Sequence, residues 1–314
     1  MQHKNAALVF TGILTMLSGI VHAAARPLPD FFYGVTIDDG WEGKIKQIHI
    51  TNALKAMPVK PVVRIVMSAE KPPAEYRKLF AAIHRTAYIM ATPVDSSEMK
   101  RYPTVAAYLK RFESSYQALA EYVDVWEIGN EINGENWLGN NPQLIADKAA
   151  AAYRYIRRKN TATALTAYYF APNMQKTTMQ NWLARYIPAD MKQHVDYVFV
   201  SYYEDDNNGF QPDWKKVFNE LQTLFPRAKL GIGECGNTRK NATVESKTDM
   251  IRHYYSMPKY TPNYVGGYFW WYWVQDSVPH HGNKVWEEIG KHMKPHRKTV
   301  SDKISNQKPK DEHL

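Results

Sequence analysis

Apolar residues gather along the chain in short runs of strand length, separated by longer stretches where they recur at helical spacing. The runs are Phe31–Ile37, Val62–Met67, Ala87–Ala91, Val123–Ile128, Ala164–Phe170, Val195–Ser201, Lys229–Ile232 and Gly267–Trp273. Their starts fall about 25 to 40 residues apart, the interval that a strand, a loop, a helix and a return loop require. Near-continuous apolar strands suit a sheet covered on both faces. Between them, Tyr108, Phe112, Tyr116 and Leu119 line one face of a helix predicted over Pro103–Tyr122, and Ile145, Ala149, Ala152 and Ile156 do the same over Pro142–Lys159. A proline opens each, as suits a first helical turn. Gln211–Phe225, Thr243–Met257 and Asn283–Met293 read as helices after the last three strands, whereas the β-branched residues of Lys44–Met57 permit helix or strand. Eight strands in this rhythm predict an α/β fold, a single (β/α)8 TIM barrel.

The two ends fall outside that pattern. Residues 1–25 combine Lys4, an apolar run from Ala6 to about Val21 and the small residues Ala23, Ala24 and Ala25, the layout of a secretory signal peptide. The run is too short, and too broken by Gly12, Ser18 and Gly19, for a membrane anchor, and no later stretch is apolar enough to span a bilayer. The expected location is therefore secreted or periplasmic, with the barrel over 26–295 and a basic tail over 296–314. Cys235 is the only cysteine, so no intramolecular disulfide supports the fold. The net charge of +9 is partly concentrated near the C-terminus. Such a balance suits an acidic polysaccharide or an anionic envelope surface, or merely a solvated face, while export argues against nucleic acid.

Two of the predicted strands end on a carboxylate. Val123–Ile128 runs through Gly129 and Asn130 to Glu131, and Lys229–Ile232 runs through Gly233 to Glu234. Barrel enzymes place their chemistry at the C-terminal ends of the strands. The two acids lie 103 positions apart, an interval that covers three βα units, so both reach one barrel mouth. Two carboxylates about 5 to 5.5 Å apart support retaining glycoside hydrolysis. Like charges in a partly desolvated cleft raise one pKa and keep that acid protonated.

Trp126-Glu127-Ile128-Gly129-Asn130-Glu131 resembles the strand-four Asn-Glu motif of the clan A retaining glycoside hydrolases, and Gly231-Ile232-Gly233-Glu234 resembles their strand-seven nucleophile motif. The resemblance implies that Glu131 is the acid/base, Glu234 the nucleophile and Asn130 the residue that holds the sugar 2-hydroxyl. Val200-Ser201-Tyr202-Tyr203, with Gly134 and Trp137 after the Asn-Glu pair, is similar to the endo-β-1,4-galactanase family, and implies that Tyr202 donates to Glu234. The chain departs from that family where Glu204-Asp205-Asp206 follows Tyr203 and Cys235-Gly236 follows Glu234.

Other residues are candidates for substrate binding. Arg64 is a charge inside an apolar strand and needs a buried partner: Glu234 by resemblance, or Asp38 or Glu127 as a structural ion pair. Glu127, two residues before Gly129, should point into the barrel as a packed, paired acid. Among the aromatics, Trp271 and then Trp273 are expected to stack on sugar C–H faces, with Trp41 and Trp137 adding subsites or, equally, packing in the core. Asp38 and the other aspartates after strands are expected to bind sugar hydroxyls or water. No cofactor or metal is expected, since no calcium-loop spacing occurs and His280-His281 lacks a third ligand. The reading that emerges is an exported retaining glycosidase acting on an oligo- or polysaccharide. A transglycosylase using the same residues and a non-catalytic carbohydrate-binding barrel are its alternatives.

Overall fold

The computed structural model describes residues 26–294; the predicted signal peptide and the tail over 296–314 lie outside the described residues. Eight strands, β1 (Phe32–Ile37), β2 (Val62–Val66), β3 (Tyr88–Thr92), β4 (Val125–Gly129), β5 (Ala162–Tyr168), β6 (Tyr197–Ser201), β7 (Lys229–Glu234) and β8 (Tyr264–Trp270), form a closed barrel in sequence order. Every neighbouring pair is parallel, and β8 closes on β1. The fold is thus the (β/α)8 barrel that the strand rhythm predicts.

One strand is displaced from its expected position. The final strand runs over Tyr264–Trp270 rather than Gly267–Trp273. Gly267, at φ +101°, lies so close to the backbone of Ile232 in β7 that a Cβ there would collide with it. Glycine is what allows this approach, so Gly266 and Gly267 belong inside β8. Tyr272 then adopts φ 58°, turning the chain out of the sheet and into a short helix, Trp273–Ser277.

Helices cover the outside. Gln47–Lys55 is helical, burying Ile50, Ala53 and Leu54 on one face, which resolves the one ambiguous segment. Val105–Leu119 is capped by Thr104, whose hydroxyl accepts from the Ala107 amide, so Pro103 precedes the helix rather than opening it. Pro142 does open Pro142–Arg157, capped by Asn141. The helices after β6, β7 and β8 lie at Trp214–Leu224, Val244–Tyr255 and Lys284–His292. Shorter helices at Arg77–His84, Met179–Tyr186 and Ala189–His194 carried too few turns for their periodicity to stand out in the sequence. Among the described residues, no helix is long and apolar enough to cross a membrane.

Strand alternation sorts side chains into two sets. Ile65, Ala91, Ile128, Ala167, Val200 and Ile232 pack outward against the helices. Val62, Met90, Val125, Ala164, Tyr197 and Phe269 fill the barrel interior. Two residues further along β2, β3, β4 and β5, on that inner face, come Arg64, Thr92, Glu127 and Thr166, all buried. Glu127 is the hub of this polar layer, accepting from Arg64 Nε at 2.9 Å and from both threonine hydroxyls. Buried charges are tolerable only when paired and hydrogen-bonded in this way. The layer forms the floor on which the barrel mouth is built.

Candidate active site

Glu131 stands two residues beyond β4 in an unusual backbone conformation, φ 46°. For a non-glycine residue the left-handed region costs on the order of 1–2 kcal/mol, so neighbouring contacts must hold it. The Ile132 amide donates to the Thr166 carbonyl at 3.2 Å. Asn133 clasps β5 with its whole side-chain amide, donating to the Tyr168 carbonyl at 2.8 Å and accepting from the Tyr168 amide at 2.7 Å. These contacts fix the loop and turn the Glu131 carboxyl over the barrel axis, where the Ser96 hydroxyl donates to Oε2 at 2.7 Å.

Glu234 is the last residue of β7, and both of its oxygens are engaged. Arg64 Nη1 donates to Oε2 at 2.5 Å, and the Tyr203 hydroxyl donates to Oε1 at 2.5 Å. Arg64 therefore joins both of its candidate partners, Glu127 and Glu234, while Asp38 is not among them. The tyrosine that meets Glu234 is Tyr203 and not Tyr202, whose hydroxyl donates to the Phe210 carbonyl among outward-packed residues. Tyr197 and Phe199 face the interior, so the same alternation brings Tyr203 to the axis and sends Tyr202 outward.

The two carboxyls sit in unequal fields. Burial raises the Glu131 carboxyl well above the ordinary value, Glu234 raises it further, and the Ser96 hydrogen bond only partly offsets them. Burial also raises Glu234, but the Arg64 guanidinium and the Tyr203 hydroxyl draw it back to about 7. The proton is thus held more firmly on Glu131 than on Glu234. Tyr203 keeps its own proton, since burial and the adjacent Glu234 push the phenol well up.

Both acids line one cavity of about 490 Å³, with Asp95, Ser96, Trp137, Tyr168, Phe170, Met174, Tyr203, Asp206, Thr238, Trp271 and Tyr272. Trp137, Tyr168 and Phe170 form an aromatic cluster with ring centroids 4.5 to 5.7 Å apart. Trp271 and Tyr272 stand at the end of β8, across the barrel from β4 and β5. Gly134 makes the first cluster possible, because a Cβ there would overlap the Trp137 indole.

Several predicted contacts are not made at this cavity. Trp273 is fully buried in the helix that follows β8, because the chain leaves the strand at Tyr272. Trp41 is packed in the core, and Asp38 accepts a hydrogen bond from Gln275 at 2.7 Å instead of facing the cavity. Asn130 is 1 % exposed and is not a lining residue, yet both polar atoms of its amide lack a protein partner. Ser96, Tyr168 and Phe170 are lining residues that the sequence reading missed. The serine lies in the loop after β3, and the two aromatics lie at the end of β5, where position alone would have nominated them. Among the described residues, no cluster of three or more His, Cys, Asp or Glu side chains is arranged to hold a metal ion.

Fold and paired strand-end acids together define a (β/α)8 barrel of the architecture that the sequence motifs resemble. No protein-family model matches the chain, and no curated protein matches it in sequence. Its fold is similar to that of Saccharomyces cerevisiae Gas2p in complex with laminaripentaose, with a TM-score of 0.58 and 14 % identity over 88 % of this chain and 68 % of that one. It is also similar to a glucosidase from Croceicoccus marinus, with a TM-score of 0.54 and 13 % identity over 76 % of this chain and 58 % of the glucosidase.

Proposed function

We propose that this protein is an exported retaining glycoside hydrolase acting on a β-linked oligo- or polysaccharide. The observation that carries the reading is the pair of acids lining one cavity at the barrel mouth, Glu131 bonded by Ser96 and Glu234 held by Arg64 and Tyr203, an asymmetry that favours the proton on Glu131. Glu131 donates that proton to the glycosidic oxygen as the Glu234 carboxylate attacks the anomeric carbon and the leaving group departs. The resulting glycosyl-enzyme ester is opened by water, whose proton returns to Glu131. The amide of Asn130, buried next to Glu131 in sequence and unpartnered by protein, supports a role in holding the sugar 2-hydroxyl once substrate opens the wall in front of it. Trp137 and Trp271 supply apolar faces for the pyranose C–H surfaces. The capture of laminaripentaose by Gas2p makes β-linked gluco-oligosaccharides the first substrates to try. Export rests on the pattern of residues 1–25.

The test combines product stereochemistry with two variants. On a hydrolysed oligosaccharide, NMR should show the new anomer first in the configuration of the bond that was cut. Glu234→Gln should abolish turnover with binding kept. Glu131→Gln should lose most rate on substrates with poor leaving groups and least on activated aryl glycosides. Inverted product, or full activity in Glu234→Gln, would remove the assignment. Products longer than the substrate would identify a sugar rather than water as the acceptor. Binding without any new reducing end or transfer product would select the non-catalytic barrel.

A further inference from the structure

The charge of the cleft runs against that of the chain. The protein carries a net charge of +9, yet its cavity is lined by four acidic side chains, Asp95, Glu131, Asp206 and Glu234, and, among the described residues, by no lysine, arginine or histidine. The nearest cation to the paired acids, Arg64, is wholly buried beneath them and shared between Glu127 and Glu234. Asp95 accepts from the Ser97 amide at 3.0 Å, and its field raises the carboxyls of both Glu131 and Glu234. Asp206 is solvent-exposed at the rim of the cavity and makes no hydrogen bond or ion pair with any described residue, and desolvation together with Asp205 raises its carboxyl. It is an unpaired carboxyl on the wall of a cleft lined by aromatic and acidic side chains.

Building on the glycosidase reading, we propose that this cleft takes a glycan of uncharged or amino-bearing sugars and rejects uronic acids and other anionic sugars, with Asp206 as a specificity-determining residue. A uronate entering here would bring its carboxylate among like charges with no guanidinium or ammonium on the wall to receive it. Discrimination of this kind needs no added attractive contact, only repulsion of the wrong ligand. The ammonium of an amino sugar would find Asp206 unpaired and ready. The basic composition of the chain, taken alone, points to an acidic glycan; the distribution of its charges points the other way.

Binding can be read separately from turnover. Because Glu131 holds its proton, Glu131→Gln preserves the charge and shape of the cleft while removing the acid. Titration calorimetry on this variant would compare a β-linked glucose pentasaccharide, the same backbone oxidised to glucuronate, and a glucosamine pentasaccharide. The glucuronate should bind at least about 100-fold more weakly than the glucose oligomer, with the gap narrowing as salt is raised. Adding Asp206→Asn should recover about tenfold for the glucuronate and weaken the glucosamine oligomer. Glucuronate binding as tight as that of the neutral oligomer, or a ratio untouched by Asp206→Asn, would overturn the proposal. The expected order of binding without wild-type turnover would uphold it and count instead against the glycosidase reading.

Discussion

The Tyr203 hydroxyl donates to Glu234 Oε1 at 2.5 Å, opposite the 2.5 Å contact of Arg64 with Oε2. One neutral and one charged donor thereby fix the plane of this carboxylate and favour its ionised form. Tyr203→Phe removes the neutral donor and leaves the ring. The acidic limb of the kcat/KM profile, which reports ionisation of Glu234 in the free enzyme, should move to higher pH. The rate at its optimum should fall about 10- to 100-fold, the cost of one such hydrogen bond. Tyr202→Phe, which keeps the ring and removes a hydroxyl bonded to the Phe210 carbonyl, should leave the profile in place.

Glu131 should cost the fold stability at neutral and alkaline pH. Its carboxyl is raised above the ordinary value of 4.5 by burial and by Glu234, so folding favours its protonated form. That contribution is fully present below the unfolded value and is lost as pH rises through the folded one. Glu131→Gln should therefore gain about 1–2 kcal/mol of unfolding free energy at pH 8, with the gain vanishing near pH 4. Denaturant melts at the two pH values measure it.

Arg64 holds two buried carboxylates, and removing it strands both. Arg64→Met should cost about 3–5 kcal/mol in unfolding free energy. The double variant Arg64→Met with Glu127→Gln should recover part of this, because one of the stranded charges is then gone. Additive losses from the two substitutions, measured by urea denaturation, would contradict this coupling.

Gly134→Ala isolates the contribution of Trp137. The backbone at Gly134 lies at φ −75°, which alanine adopts freely, so the substitution acts only through the overlap of its Cβ with the indole. KM for an oligosaccharide should rise about tenfold with kcat changed far less, matching Trp137→Ala. Steady-state kinetics on the three proteins check it.

Much of this site can be read from the chain because strand alternation and barrel order are simple rules. Glu131 and Glu234 each follow an apolar run, and three βα units bring them to one mouth. Arg64 and Glu127 announce themselves as charges inside apolar strands. The errors arise where those rules are interrupted. The family resemblance points to Tyr202, whereas counting in twos from Tyr197 and Phe199 selects Tyr203. Trp273 has the same parity as Phe269 and Trp271, but the left-handed turn at Tyr272 ends the strand before it. Nothing in the local sequence distinguishes a tryptophan that continues the strand from one that starts the next helix. Trp41 takes the core position that the sequence leaves open beside a subsite, and Asp38 turns from the cavity because the path of its loop depends on a partner remote in sequence, Gln275.

A further consequence follows from the way Arg64 divides its grip. Its Nε is tied to Glu127 on β4, and its Nη1 to Glu234 on β7. Glu131 extends from β4 as well, only four residues beyond Glu127. One guanidinium on β2 thus ties the strand that carries Glu131 to the strand that ends on Glu234. A shift of β7 away from β4 must stretch a buried, charge-assisted hydrogen bond before it can part the two carboxyls.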